Sequence, residues 1–391
     1  MKTVELIQLI VCGEDSRTLF KREPIGAKKL AEEMVAFSNS GGGAILFGVD
    51  DDGQVPGLTE ADVRELNSQI SDAANDKVRP SIYPRTEIHQ VGEDNRLVLV
   101  VLIPDGVSKP YSDKSGAFWV KLGADKRRIT AREEILRMLQ ASHLVYADEL
   151  PVNGTSIDDL DMAHLGEFFL RNHGQSLDEA LEKGDITIGR LLNNLGLARG
   201  EELNLAGLLM FGRKPQRFRP AFVIKAVSFF GNDPAGDLYR DSEDIDGCIR
   251  DLHKGAMSFL NRNLRHVQGN KGFNTLGDIE IPIAALEELV VNMLLHRDYF
   301  ISAPWRMMIF DDRVEFISPG MLPNNLTVEN IRSGVSIIRN PIIASFATKE
   351  LPYRGIGTGI RRVLSKVPDL ELESSQEHNL FTARIPRKVE Q

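Results

Sequence analysis

The segment Ala36-Phe37-Ser38-Asn39-Ser40-Gly41-Gly42-Gly43-Ala44-Ile45-Leu46-Phe47-Gly48-Val49 constrains this chain more than any other stretch. Residues 26–38 place Leu30, Met34 and Phe37 on one helical face, and AILFGV reads as a buried strand. Three glycines between them stop the helix, and the order decides what the turn can do. A phosphate loop runs from a strand through glycines into a helix N-terminus, whose free N–H groups and positive dipole end face the anion. Here the glycines follow a helix, at its negative end, where a phosphate is repelled. No Lys-Ser or Lys-Thr follows them, so the Walker reading fails. Gly41, Gly42 and Gly43 are expected to form a sharp turn packed against a strand, and Asp52-Gly53 suits a tight hairpin turn.

The bulk of the chain sets the remaining bounds. With 391 residues there is room for two or three domains, and 42% hydrophobic with 26% charged residues is a globular balance. No apolar run approaches the roughly 18 residues of a membrane span. Glu5 and Gln8 interrupt the N-terminal apolar patch and no small-residue cleavage site follows, so neither a signal peptide nor a membrane partner is expected. Cys12 and Cys248 stand far apart without metal-ligand spacing, which makes a reducing cytoplasm the expected location. The net charge of −9 excludes a uniformly basic surface. It leaves room for a local basic stripe, and Lys121, Lys126, Arg127, Arg128 and Arg132 form either such a stripe or an ordinary solvated face.

Along the chain, an α+β architecture in three blocks is expected: residues 1–142, 143–275 and 276–391. In the first, strands are predicted at 96–104 and 117–122 as a pair. A helix is predicted over 130–142, capped by Thr130 with Glu133 three residues on. The second block carries helices near 158–172 and 186–195, either a helix-turn-helix or simple packing helices. Strands at 205–212 and 221–230 follow. A long amphipathic helix then has Ile245, Cys248, Ile249, Leu252, Ala256 and Phe259 on its stripe. The third opens with the helix IAALEELVVNMLLHRDYF and continues with strands WRMMIFDD and RVEFIS and the loop PGMLPNN. A polar linker, RGIGTGIRRVLSKV and a final strand LFTARIP complete it.

Residues 14–138 resemble the Schlafen-like, AlbA-type DNA-binding domain. The match rests on Glu14, Phe20-Lys21, the AFSNSGGGAILFGVDDDG run, Val55-Pro56-Gly57, Lys109-Pro110 and Val120-Lys121-Leu122-Gly123. The resemblance implies nucleic-acid binding, DNA first, and relatives that cleave RNA. Those relatives pair two glutamates five residues apart with a downstream aspartate. Glu14 and one of Asp50, Asp51 and Asp52 fit, but the second glutamate position falls on Leu19, which cannot hold a metal. Nuclease activity is therefore not expected, and the aspartates read more naturally as a solvated turn. Phosphate-backbone contacts are expected from Lys21, Lys121, Lys126, Arg127 and Arg128.

A second constellation lies near the C-terminus. Glu288 and Asn292 are spaced to emerge on one helix face, where a carboxylate can polarise a water and an amide can hold a divalent ion. Farther on, Arg354-Gly355-Ile356-Gly357-Thr358-Gly359 leads into a helix, the favourable order for phosphate. Residues 281–386 resemble a GHKL-type ATPase domain, an α/β sandwich often attached to Schlafen-like domains. The resemblance is carried by Glu288, Asn292, His296-Arg297-Asp298-Tyr299, Ser318-Pro319-Gly320, Arg339-Asn340-Pro341 and RGIGTGI.

It implies ATP with Mg2+: Asn292 on the metal, Glu288 activating water, and Gly355, Gly357, Thr358 and Gly359 around the phosphates. Arg354 or Arg339 would contact phosphate. Ser318 and Gly320 stand where an aspartate or Asn-Pro-Gly usually holds the adenine, and Thr382 sits where a polar residue often approaches it. His296 and Arg297-Asp298 either close the helix or act as ligands. Together the resemblances imply an ATP-responsive, nucleic-acid-binding transcriptional regulator, with nucleotide changing conformation or homo-oligomeric assembly and slow hydrolysis at most. The alternatives are a Schlafen-like metal-dependent nuclease, weakened by Leu19, and an assembly module with a relic nucleotide site.

Overall fold

The computed structural model describes residues 3–142, 144–184, 186–235, 238–268, 277–323 and 326–387, apart from the side chains of Glu133 and Ala141. The chain divides into two compact units, Met1–Leu144 and Val145–Gln391.

The first unit is built on a four-stranded sheet ordered Thr18–Lys21, Gly43–Phe47, Arg96–Ile103, Arg85–Val91. The first two strands are parallel, and the others add antiparallel. Strand alternation sends side chains to opposite faces. Ile45, Phe47, Leu99 and Val101 pack beneath helix α2 (Ala27–Asn39), whose Leu30, Met34 and Phe37 are fully buried. Ala44, Leu46, Val98 and Val100 pack against Leu6 and Ile10 of helix α1 (Thr3–Cys12). Helix α3 (Glu60–Asp72) starts at a capping box made by Thr59 and Asp62.

The glycine run is the turn its order implies. The N–H groups of Ser40 and Gly42 both return to Phe37 O, closing α2. Gly42 has φ +76°, and a Cβ on Gly43 would lie 2.5 Å from Arg17 O and from the Phe37 ring. Asn39 has a structural task here: its amide donates to Tyr111 O and Trp119 O and accepts from Tyr111 N. Beyond the strand, Gly53 N bonds Asp50 O in a tight turn that leads toward α3 and not into a second strand.

The expected pairing of 96–104 with 117–122 is corrected. Arg96–Ile103 pairs with Arg85–Val91 and Gly43–Phe47, while Phe118–Leu122 forms its own hairpin with Asp125–Ile129. Helix α4 (Arg132–Ala141) takes Ala131 at its cap, without a side-chain bond, so Thr130 does not cap it. The Glu133 half of that expectation lies outside the described residues.

The second unit has a six-stranded sheet ordered Tyr239–Ile245, Ile224–Phe229, Trp305–Ile309, Arg313–Pro319, Leu380–Pro386, Glu371–Ser375. Only the Ile224–Phe229 and Trp305–Ile309 pair is parallel. This sheet crosses the expected boundary at residue 275, and one hydrophobic core joins Phe168 and Leu208 to Trp305 and Ala383. The described residues between 145 and 387 therefore pack as one body.

Small helices precede the sheet: α5 (Met162–His173), α6 (Leu177–Glu182), α7 (Ile188–Asn194) and α8 (Leu205–Phe211). The last corrects the strand expected at 205–212. Asn204 accepts from Gly207 N and starts a helix that is buried on every side, a pattern without periodicity for sequence reasoning to use.

Helix α9 (Ile249–Asn263) begins later than expected, because Ile245 ends a strand and Cys248 is the cap. Helix α10 (Ile283–Leu295) follows. The expected polar linker contains helices α11 (Val328–Arg332) and α12 (Pro341–Glu350), ahead of α13 (Gly359–Lys366). Asn324 and Asn325 of the PGMLPNN loop lie outside the described residues. Among the described residues no helix is long and apolar enough to cross a membrane.

Candidate functional site

Helix α10 and its C-cap place Glu288, Asn292 and His296 one turn apart along one face, separated by about 6 Å of rise per step. All three line a single pocket of the second unit. One end of that pocket is walled by the loop Arg354–Thr358 and the start of α13, and the other by Ser318, Gly320 and Arg339.

At the glycine end the packing is tight. Glu288 is 6% exposed; its Oε1 accepts from Asn292 Nδ2 at 3.0 Å and its Oε2 accepts from Arg362 Nη2. Gly359 lies so close that a Cβ there would be 1.7 Å from Glu288 Oε1. Gly355 and Gly357 adopt φ +66° and +76°, conformations that side chains resist. Among the described residues, no hydrogen-bond partner is found for the backbone N–H groups from Arg354 to Arg361. Thr358 occupies the cap position of α13 without bonding through its hydroxyl. A row of free N–H groups at a helix N-terminus is an anion cradle. Arg354 is exposed at the start of this row. Burial, with the nearby Glu288 charge, raises the Tyr353 phenol pKa beside it.

At the other end, Ser318 Oγ donates to Met293 O at 3.2 Å. Its oxygen is left as an acceptor toward the pocket, which suits an exocyclic amino group. Burial, reinforced by the Arg339 charge, pushes His296 down to about 4, so its ring is neutral at physiological pH. The Arg339 guanidinium makes no hydrogen bond or ion pair among the described residues, and burial lowers its pKa against the opposing pull of Asp298. Asn340 sets it there by donating to Leu295 O and Arg297 O at the end of α10. Arg297 itself is structural: it is fully buried over Phe222 and Trp305 and donates to Ile301 O and Ala303 O.

Thr382 does not belong to the site. Phe381 and Ala383 line the pocket, opposite Ser318 and Phe316 on the paired strand. Thr382 therefore points to the other face of the sheet, beside Ile317 and Glu373. Arg362, conversely, belongs to the site without standing in any motif of the sequence. Its only signal there is its place one turn into the helix that the glycines open.

For a metal, Asn292 Oδ1 remains available, since its amide nitrogen serves Glu288. Among the described residues no three His, Cys, Asp or Glu side chains form a metal-holding group. One protein ligand plus phosphate oxygens and waters fits Mg2+, which rarely takes an all-protein cage.

The basic residues of the first unit fare differently. The Lys121 side chain is 1% exposed, lies 3.9 Å from Glu33 and 4.7 Å from the Phe37 ring centroid, and burial lowers its pKa. Lys126 bridges Glu32 and Glu33 at 2.8 and 3.2 Å. Arg127 is held by both oxygens of Glu134. All three of these residues, expected as phosphate contacts, are thus engaged in ion pairs within the first unit. Lys21 Nζ donates to Phe20 O, and Arg128 is exposed without an ion pair among the described residues. Glu14 Oε1 accepts from Phe20 N at 2.6 Å, Leu19 is core, and Asp50 Oδ1 accepts from Gln54 N.

Three family models match the chain. Residues 14–130 match "Schlafen, AlbA_2". Residues 303–382 match "Putative ATP-dependent DNA helicase recG C-terminal", and residues 136–224 match a domain of unknown function. The second match begins after α10, so Glu288 and Asn292 stand on geometry alone. No curated protein matches. Among solved structures, the DIP2311 protein from Corynebacterium diphtheriae is similar at 19% identity and TM-score 0.47, covering 98% of this chain and 80% of that one.

Proposed function

We propose that this chain, which joins a Schlafen AlbA_2 region to a recG C-terminal ATPase-like region, is an ATP-responsive nucleic-acid-binding regulator. ATP occupies the pocket of the second unit with its phosphates on the Arg354–Gly359 loop, Mg2+ on Asn292 and the base toward Ser318 and Gly320. The first unit contacts nucleic acid, DNA foremost, through phosphate groups, and bound nucleotide changes conformation or assembly. The observation that carries this reading is the row of N–H groups, unpartnered among the described residues, lining the same pocket as Asn292.

Hydrolysis is slow in this reading. Both Glu288 oxygens are engaged, by Asn292 and Arg362, so the carboxylate is a poor proton acceptor in the resting site. Mg2+, when bound, supplies charge neutralisation of the phosphates; Glu288 and Asn292 orient each other, and the loop holds the anion. Calorimetry of the full chain with ATP and Mg2+ tests the assignment. Binding by wild type that Asn292→Ala weakens at least tenfold is the expected result. No heat from wild type leaves the relic-site alternative.

A further inference from the structure

Among the described residues Arg362 is the one cation paired with the Glu288 carboxylate, and its position has a use beyond holding two helices together. Its side chain is 45% exposed while Glu288 is 6% exposed. The carboxylate is fixed, wedged against Gly359 and bonded to Asn292. The guanidinium lines the pocket and is half exposed to solvent. Asn292, Glu288 and Arg362 thus meet at one point beside the free N–H groups of the loop. Asn292 and Arg362 both bond Glu288, so a phosphate held beside Asn292 would meet the Arg362 fork, whose planar donors match phosphate oxygens better than one carboxylate oxygen.

We infer that Arg362 reads the terminal phosphate of a bound nucleoside triphosphate, exchanging its bond to Glu288 for a bond to that phosphate. The inference rests on the nucleotide reading of the pocket. A diphosphate leaves the Glu288–Arg362 pair intact; a triphosphate breaks it and frees Glu288 Oε2. Arg362 is then what distinguishes the two ligands, and the resting pair competes against the third phosphate.

The test is titration calorimetry of the full chain with Mg2+ and either ADP or a β,γ-imido analogue of ATP. Wild type is expected to prefer the triphosphate by at least about tenfold, the scale of one charge-assisted bond. Arg362→Gln should reduce that preference to near unity with ADP affinity retained, and Arg362→Lys should restore part of it. Glu288→Gln removes the competitor without removing the arginine, so triphosphate affinity should rise. That gain is not expected if the pair merely braces the fold. Preference retained in Arg362→Gln, equal loss of both ligands in that variant, or a fall in Glu288→Gln each overturns the inference while leaving the nucleotide site standing. Absence of binding by wild type removes the site itself.

Discussion

Asp148 holds the start of α12 through Ile343: its Oδ2 accepts the backbone N–H of Ile343 at 3.0 Å and that of Ile342 at 2.8 Å. The carboxylate is fully buried, and Oδ1 has no partner among the described residues. Through this contact the short turn at Ala147–Glu149 fixes the helix that follows Arg339 and Asn340, and so the far wall of the pocket.

Burial raises Asp148 from 3.8 to about 6, against the lowering by its two backbone bonds. A raised folded-state pKa means the native protein holds this proton more tightly than the unfolded chain. Its stabilising contribution is present below pH 4 and lost as pH rises through 6. About two units corresponds to roughly 3 kcal/mol. Asp148→Asn cannot titrate, so its stability relative to wild type should rise by about that amount between pH 4 and pH 8. Urea unfolding of both proteins at the two pH values checks this; a constant difference would show that Asp148 does not titrate in that window.

Two glycines in the second unit should respond oppositely to alanine. At Gly359 a methyl group has no room beside Glu288. Gly359→Ala should push α13 from α10, lower stability by about 2 kcal/mol and weaken nucleotide binding at least tenfold. Gly166, within α5, faces open space and has ordinary helical geometry. Gly166→Ala should raise stability by about 0.5–1 kcal/mol through the unfolded chain. Thermal unfolding with and without Mg2+ and ATP separates the two.

What could be read beforehand follows from the range of the interactions. The α2 turn was legible because helix period, glycines and strand are contiguous between Leu30 and Val49, and local chemistry settles them. The Glu288, Asn292 and glycine-loop constellation was legible in composition, since helical spacing and the order of glycines before a helix are also local. Arg362 was not, because its meaning comes from Glu288, 74 positions earlier. The setting of Lys121 and Lys126 was hidden for the same reason: a sequence displays the charge but not Glu32 and Glu33 folded against it. Thr382 was lost to parity, since one residue along a strand decides which face it occupies.

His164 and Glu350 form a buried pair, Nε2 to Oε2 at 2.7 Å with both side chains 1% exposed, and Arg171 adds a bond to Glu350 Oε1. The pair ties α5 to α12. Its bonds to His164 help hold the Glu350 carboxyl below the usual range despite opposing burial. A lowered folded pKa gives stability that is present above the unfolded value of 4.5 and lost as pH falls through the folded value. His164→Ala leaves Glu350 buried with only Arg171, and should cost about 3 kcal/mol at pH 7. Urea midpoints from pH 7 down to pH 3 should converge for wild type and variant. A gap that persists at pH 3 would point to lost packing against Phe211, whose ring centroid is 4.9 Å from that of His164.

The basic residues of the first unit divide into two groups that mutation can tell apart. Arg128 is exposed and unpaired among the described residues, whereas Lys121 is buried beside Glu33. If the first unit binds phosphate backbones, Arg128→Glu should weaken DNA binding across sequences. It should also reduce the slope of log affinity against log salt by about one, the signature of a lost phosphate contact. Stability should stay within about 0.5 kcal/mol, as for other exposed sites. Lys121→Gln should behave in reverse: it leaves Glu33 with Lys126 alone and lowers stability by about 2 kcal/mol, while the salt slope of the folded protein stays unchanged. Gel shifts at two salt concentrations, paired with unfolding curves, measure both quantities. A salt slope that falls in Lys121→Gln and not in Arg128→Glu would mean that Glu33 releases its lysine to the nucleic acid.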